Sequence, residues 1–478
     1  MKKSSLIFIT FMILLGGCSK NSSPISNSTS SSTPISVDYR ESALENVDPV
    51  VNEELKACFD FFYETAVTEE NSPAYGLIPD RYNVKTNKRG AFASIASIGF
   101  GLATLPIGVE YGWITEEEGY DRAYKTIANL EKLERVNGFY YHFLKMTNGE
   151  RWQRVELSVI DTAILVCGAL TAGKYFGGDC ETIANRIYES VNWKWYYNES
   201  TMMFYMGYSP ENQILYGNGF SGAWDHYAEQ LMLYVLAAGA PNEKYKVNSD
   251  AYLVMKSVAM NDICAKTDKY DPFITTWTGS IFTYQFSHSF IDFRNIVDED
   301  GFDWYANSVN ASKAHVAFAK SQSSKYLTYS ENAWGFTACD GPNGYSGAYG
   351  SKPCKRQSVG EEPLVDGTVP PCGAIGSIAF TPEDSIRAMK HYKENDKLWS
   401  KYGFIDAYNL GTTENHSDKT IEGKIPEGGW YANDVIGIDK GVSALMIENY
   451  VSSLIWNIFM DVEYVQNGLN ELGFTSRV

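Results

Sequence analysis

The stretch that decides the fold is SGAWDHYAEQLMLYVLAAG, residues 221–239. Leu231, Met232, Leu233, Val235 and Leu236 sit comfortably only in a core. A segment this apolar nearly all round reads as a buried helix. Yet its start carries Trp224, Asp225, His226, Tyr227 and Glu229, with Asp225 and Glu229 one helical turn apart. Acidic residues favour helix N-termini because the macrodipole is positive there, which would make them mere decoration. The sharper reading is that the helix start faces a cleft.

Working outward, the same kind of segment recurs. AFASIASIGFGLATLPIGVEYGWI and ELSVIDTAILVCGALTAGKYF are apolar helices mixing small and large residues. SALMIENYVSSLIWNIFM reads as one more, near the end of the chain. Between them lie amphipathic helices with apolar residues at helical spacing. NEELKACFDFFYETA, CETIANRIYESVNW, DWYANSVNASKAHVAFAK and SIRAMKHYKENDKLW are of this kind. TEEEGYDRAYKTIANLEKL opens with a Thr cap and an acidic first turn. FYYHFLKM is short and β-like. The alternation predicts two concentric helical layers, an all-α fold of about a dozen helices that fits an (α/α)6 barrel. No sharp linker follows residue 50, so one catalytic domain over residues 38–478 is expected. Residues 334–371 form a long stretch with little predicted regular structure. Such loops in compact domains are usually functional, and in a helical barrel they would wall the cleft at one end.

The chain has 478 residues, 44% hydrophobic, and a formal net charge of -18. An acidic surface repels phosphate backbones, which argues against nucleic acid as a partner. The 33 Tyr and 11 Trp suit a cleft where rings stack on sugars, or else an aromatic core. MKKSSLIFITFMILLGGCSK has a basic start, a short apolar run from Leu6 to Leu15, then small residues before Cys18. This reads as a secretory signal over residues 1–18, with LLGGC resembling a bacterial lipobox that would lipidate Cys18. Residues 19–37, nearly all Ser, Thr, Asn and Pro, read as a disordered tether. An exported protein, held on a bacterial membrane by its lipid, is expected. No cysteine pair has CxxC spacing, so no zinc or redox motif is present. Cys339, Cys354 and Cys372 share one loop-rich stretch where a disulfide is permitted outside the cytoplasm.

No HExxH, phosphate loop or GxSxG occurs, and the six histidines are scattered. No metal or cofactor is expected. Carboxylates near aromatic residues remain: Glu156 with Asp161 in RVELSVIDTAIL, Asp225 with Glu229, Asp292 in SHSFIDFR, Asp406 in GFIDAYN and Asp439 in VIGIDKG. A glycosidase needs two carboxyls across the scissile bond, one protonated and one ionised. Each acid taken singly is more often a cap or an ion-pair partner, and Asp292 with Arg294 especially so. Their gathering at element ends beside Trp, Tyr and His is what a cleft requires.

At these motifs the chain resembles glycoside hydrolase family 144, the bacterial β-1,2-glucanases, and the wider glycoamylase-like domain. The resembling segments are FDFFYETA…GLIPDR, SIASIGFGLATLPIGVEYGWIT, GFYYHFL, ELSVIDTAIL, WDHYAEQLMLYVLAAG, YQFSHSFIDFR, WGFTACDGPNGY, YGFIDAYN and IGIDKGVSALMIENYVSSLIW. The resemblance implies an (α/α)6 barrel and inverting hydrolysis of β-1,2-glucan, endo-acting or sophorose-releasing. It implies Glu229 as general acid, Asp161 and Glu156 in the acidic cluster, and a base at Asp439 or Asp406. Candidate sugar-binding residues are Trp224, Asp225, Tyr227, His142, His288, Asp292, Arg294, Trp334, Asp340 and Tyr345. The sequence departs from the family pattern at Lys145, where an acid is expected, and at Ala228, where Asn is usual. The alternatives are a glucoamylase-like α-glucan hydrolase and a non-catalytic glycan-binding surface lipoprotein. A monomer acting on oligo- or polysaccharide is expected.

Overall fold

A computed structural model describes residues 47–358, 360–413 and 425–477. The signal segment with Cys18, the tether and His416 lie outside the described residues. In chain order the helices are α1 (Pro49–Thr65), α2 (Ile95–Glu110), α3 (Glu116–Leu130), α4 (Val159–Phe176), α5 (Gly178–Glu189), α6 (Pro210–Tyr216), α7 (Leu231–Ala238) and α8 (Asp250–Ala259). They continue with α9 (Phe286–Phe290), α10 (Trp304–Gln322), α11 (Pro371–Ile375), α12 (Pro382–Lys393), α13 (Gly437–Val451), α14 (Leu454–Met460) and α15 (Glu463–Glu471).

The helices fall into two kinds. In α7, α9 and α11 every residue is buried, and α2, α4 and α13 are buried over most of their length. The helices α1, α3, α5, α8, α10 and α12 each turn one face inward and leave the other in water. The buried set packs on itself: α2 on α4, α4 on α7, α7 on α9, α9 on α13, α11 on α13, and α13 back on α2. Gln285, just before α9, reaches across to α11 by donating to the Gly373 carbonyl at 2.8 Å. The half-buried set covers them, with α1 against α2 and α13, α5 against α4, and α12 against α11. The glycines of the apolar segments explain how closely the inner helices approach. A Cβ on Gly168 of α4 would sit 1.8 Å from the Gly99 carbonyl oxygen of α2.

Short strands lace one end of this assembly. Phe92–Ser94, leading into α2, pairs with Phe143–Lys145. Leu157–Ser158, leading into α4, pairs with Gly207–Tyr208. Thr368–Val369, just before α11, pairs with Tyr408–Asn409, and Asp434–Ile436, leading into α13, pairs with Arg81–Asn83. The starts of the buried helices therefore gather at one end, where their N–H groups and dipoles favour carboxylates.

Several local expectations are met by the structure. Thr115 and Glu118 make a reciprocal capping box at the start of α3. Among its described residues, the long loop of residues 334–371 holds a hairpin, Cys339–Gly341 with Gly344–Ser346, the short strand Thr368–Val369 and single turns. Others are corrected. The helix of the opening stretch runs only over Leu231–Ala238, and residues 222–230 precede it as a loop. The expected single helix near the C-terminus breaks into α13 and α14 at Ser453, whose φ is 60°. The disulfide permitted among Cys339, Cys354 and Cys372 is absent: all three thiols are free.

Candidate active site

At the laced end, the loop before α7 and the first turns of α4 and α13 bring carboxylates together. Ser158 caps α4, accepting from the Asp161 N–H, and its hydroxyl donates to Asp161 Oδ2 at 2.5 Å. His142, in the turn after Phe139–Tyr140, joins the first pair of acids. Its Nδ1 lies 2.8 Å from Glu156 Oε1 and its Nε2 lies 3.6 Å from Asp161 Oδ1. Burial alone would lower its pKa, but Asp161, Glu156 and Asp80 outweigh it and hold His142 protonated, up at about 9. The hydrogen bond from His142 in turn keeps the Glu156 carboxyl below the usual range.

Glu229 behaves oppositely. Its carbonyl oxygen accepts from the Ser287 hydroxyl of α9, and Ser287 Oγ also receives the Met232 N–H at 3.0 Å. Glu229 thus sits in a loop pinned to two buried helices. Some of its surface remains accessible, but the carboxyl is packed about by protein. Burial is the main cause that pushes its pKa to about 7, and the charge of Asp161 adds to it against a backbone hydrogen bond that lowers it. A carboxyl poised near neutrality is what acid catalysis requires.

The second half of the floor is built around Arg81. Its Nη1 donates to both oxygens of Asp340 at 3.1 Å and to Asp434 at 3.2 Å, and its Nε reaches Asp80 at 3.3 Å. The Asp340 N–H donates to Asp406 Oδ2 at 2.6 Å. Asp406 and Asp439 are buried, 3% and 7% exposed, and lie close enough for each carboxyl to act on the other. Burial raises both. Asp439 stands at about 6 and Asp406 is driven well above its ordinary range, with the neighbouring Asp439 and Asp340 charges adding to burial. Next to Asp439, Lys440 forms a buried ion pair with Glu54 of α1 at 2.7 Å. A cavity of about 10 Å³ lies against Asp406, Asp439, Cys372, Ser443, Glu54 and Lys440, room for about one water. Tyr345 stands over this floor. Its ring is half exposed and lies 5.9 Å from the Arg81 guanidinium. Its hydroxyl is pushed up by burial and by the Asp439 and Asp406 charges.

Of the sequence-predicted residues, the structure therefore brings together Glu156, Asp161, His142 and Glu229 on one side and Asp340, Tyr345, Asp406 and Asp439 on the other. Asp80 links the halves, since the Asp161 charge acts on it and the Asp80 charge acts on Asp439. Asp225 lies at the rim, its carboxylate 2.7 Å from His226 Nδ1 and 3.6 Å from Arg356. Four expectations are corrected by burial. Tyr227 is 1% exposed and packs on Trp304 at 4.8 Å, so its ring belongs to the core. Trp224 and Trp334 are likewise buried and offer no ring face to a sugar. His288 is held by Ser308 at 2.9 Å deep in the interior, where burial lowers its pKa to about 3.

Asp292 and Arg294 pair with each other at 2.8 Å, and Arg294 donates to Ser453 and covers Trp456. Ser453 follows the C-terminus of α13, while Asp439 lies in its first turn. Fourteen residues of rise separate the two ends by about 20 Å, so this pair is remote from the floor. The residues missed from sequence are Asp80, Arg81, Asp434 and the Glu54–Lys440 pair. For the first two a signal existed, an Asp–Arg dipeptide ending the apolar GLIP segment. Asp434 and Glu54 carried none.

The geometry defines a helix-rich protein with a cleft floored by carboxylates, at the gathered starts of its buried helices. A family model, Glycoamylase, described as "Putative glucoamylase", matches residues 221–463, about half the chain. The chain belongs to the Glycoamylase family, in agreement with the resemblance drawn from its motifs. It is 26% identical over 467 residues to an exo β-1,2-glucooligosaccharide sophorohydrolase (non-reducing end) of Parabacteroides distasonis, across 89% of this chain. The chain spans 58% of that relative's length. Among solved structures it is similar to an endo-β-1,2-glucanase from Chitinophaga pinensis in complex with sophorotriose and glucose. That match has a TM-score of 0.74 and 25% identity, and covers 92% of this chain and 99% of the other. An endo-β-1,2-glucanase from Talaromyces funiculosus with sophorose shares the fold at 10% identity, with a TM-score of 0.60 and coverage of 90% and 91%.

Proposed function

We propose that this protein is a glycoside hydrolase that cleaves β-1,2-glucan by inversion, with Glu229 as general acid and Asp439 as general base, in an (α/α)6 barrel. The observation that carries the reading is the Glu229 carboxyl, buried near Asp161 and poised at about 7, with Asp439 among the carboxyls of the opposite half of the floor. In the reaction Glu229 gives its proton to the glycosidic oxygen as the bond to C1 breaks. Asp439, at about 6, accepts a proton from the water that attacks C1 from the opposite face. The two carboxyls then end with exchanged protonation, and solvent resets them. Asp161, Glu156, His142, Asp340 and Tyr345 line the sugar-binding floor. The alternation of six buried and six half-buried helices, with the buried set packed on itself, supports the barrel. The substrate named for the relatives supports β-1,2-glucan over starch.

The test is product analysis on linear β-1,2-glucan beside starch, with proton NMR following the anomer first released. Release of α-configured ends from β-1,2-glucan, unaffected by EDTA, is expected. Greater activity on starch would favour the α-glucan reading, and binding without release would favour the non-catalytic lipoprotein. We further propose that the protein is an exported monomer tethered to a bacterial membrane through Cys18, a reading supported by the sequence of residues 1–37.

A further inference from the structure

Two buried carboxyls facing one another pose a bookkeeping problem. Asp406 comes from the segment after Gly403–Phe404, and Asp439 from the first turn of α13. Asp406 Oδ2 is satisfied by the Asp340 N–H at 2.6 Å. Asp406 Oδ1 and Asp439 Oδ2 are buried, and no N–H or O–H group among the described residues reaches either. A buried acceptor without a donor is costly. Two ionised carboxylates in contact would add like-charge repulsion in a poorly solvated place. One proton between them removes both costs.

We propose that Asp406 and Asp439 share a single proton, with Asp406 as its resident holder, so that Asp406 is a positioning residue that donates a hydrogen bond to the ionised Asp439. The inference rests on the assignment of Asp439 as base and adds what keeps that base ionised and aimed.

The surroundings fix the roles of the two acids. Asp406 is the deeper of the pair, and its far oxygen is fixed by main chain rather than by a cation. The Arg81 guanidinium spends its donors on Asp340, Asp434 and Asp80 instead. Lys440 is spoken for by Glu54, which also takes the Phe404 N–H at 3.0 Å and the Cys58 thiol at 3.3 Å. That buried ion pair ties the segment carrying Asp406 to the helix carrying Asp439. The remaining groups facing the pair are the thiols of Cys372 and Cys339, the Tyr345 hydroxyl, and the carboxyls of Asp80 and Asp340. The Cys372 thiol lies close enough to favour an ionised Asp439. None of these supplies a positive charge that would hold both carboxyls ionised. Asp406 is the more strongly raised of the two, in keeping with its place as holder.

The experiment compares Asp406→Asn with Asp406→Ala. The amide reproduces a neutral donor, since its oxygen can accept from Asp340 and its NH₂ can donate to Asp439. Three results are expected. Asp406→Asn is at least about tenfold more active than Asp406→Ala, the scale of one lost buried hydrogen bond. The acidic limb of its kcat/KM profile stays within about half a pH unit of wild type, because one neutral donor replaces another. In Asp406→Ala that limb moves to higher pH. A limb that moves down by a unit or more in Asp406→Asn would mean that a negative charge had been removed, and so would overturn the shared proton.

A second readout is independent of turnover. Infrared spectra of the Glu229→Gln protein at pH 8 should contain a protonated-carboxyl C=O band that is lost in Glu229→Gln/Asp406→Asn. Persistence of the band in the double variant would overturn the proposal. A wild-type protein with the band but without hydrolysis would instead overturn the proposed function and leave the shared proton standing.

Discussion

Replacing Glu229 by Gln should stabilise the protein above neutral pH while removing its activity. In the unfolded chain a Glu titrates near 4.5, whereas in the fold Glu229 is held at about 7, first by burial and then by Asp161. The folded state therefore binds the proton more tightly, and stability falls as pH rises from about 4.5 to about 7, then levels off. A shift of this size corresponds to about 3 kcal/mol, of which most is lost between pH 5 and pH 8. Glu229→Gln keeps the side-chain volume and cannot ionise, so it escapes that loss. For a domain of this length the unfolding entropy makes 3 kcal/mol worth roughly 3 °C in Tm. The assay is thermal unfolding of both proteins at pH 5 and pH 8. Glu229→Gln should gain several degrees on wild type at pH 8 relative to pH 5. Activity should fall by roughly a hundredfold or more, the usual share of a general acid. Equal offsets at both pH values would refute the claim that burial holds Glu229 protonated, and unimpaired hydrolysis by Glu229→Gln would refute its role.

Three other perturbations have equally definite outcomes. His142 is raised to about 9 by Asp161 and Glu156, so the stability it contributes is whole below about 6.5 and is lost as pH rises through 9. His142→Gln should accordingly destabilise at pH 6 more than at pH 10 in denaturant titrations. Gly168→Ala drives a Cβ into the Gly99 carbonyl 1.8 Å away; a loss of about 1–3 kcal/mol or more is expected from urea unfolding, as for other overpacked cores. Cys18→Ala should free the protein from the membrane fraction; retention of that variant after a high-salt wash would point to another anchor.

What the sequence determined by itself was the division of labour among segments. Apolar runs such as residues 95–110 and 159–176 have no polar face to offer water, so they had to be interior helices, and the amphipathic segments between them had to cover them. The acids flanking those runs had to lie at helix ends, because a carboxyl within the run would be buried without a partner. That much placed Asp161, Asp439 and Glu229 near one another in kind, though not in space. Tertiary structure decided the rest. Tyr227 and Trp334 look like sugar platforms in sequence, yet are core, because aromatic residues serve stacking and packing equally well and only depth separates the two. The Asp292–Arg294 pair reads like the other acid motifs but follows the short helix α9 rather than preceding a buried one, which sends it to the far end. Arg81 is 259 residues from Asp340 and 353 from Asp434, and no local pattern encodes a contact at that separation. The protonation of Asp406 and Asp439 was hidden for the same reason: a pKa is set by desolvation and by charges a few ångströms away, and chain folding alone decides which charges those are.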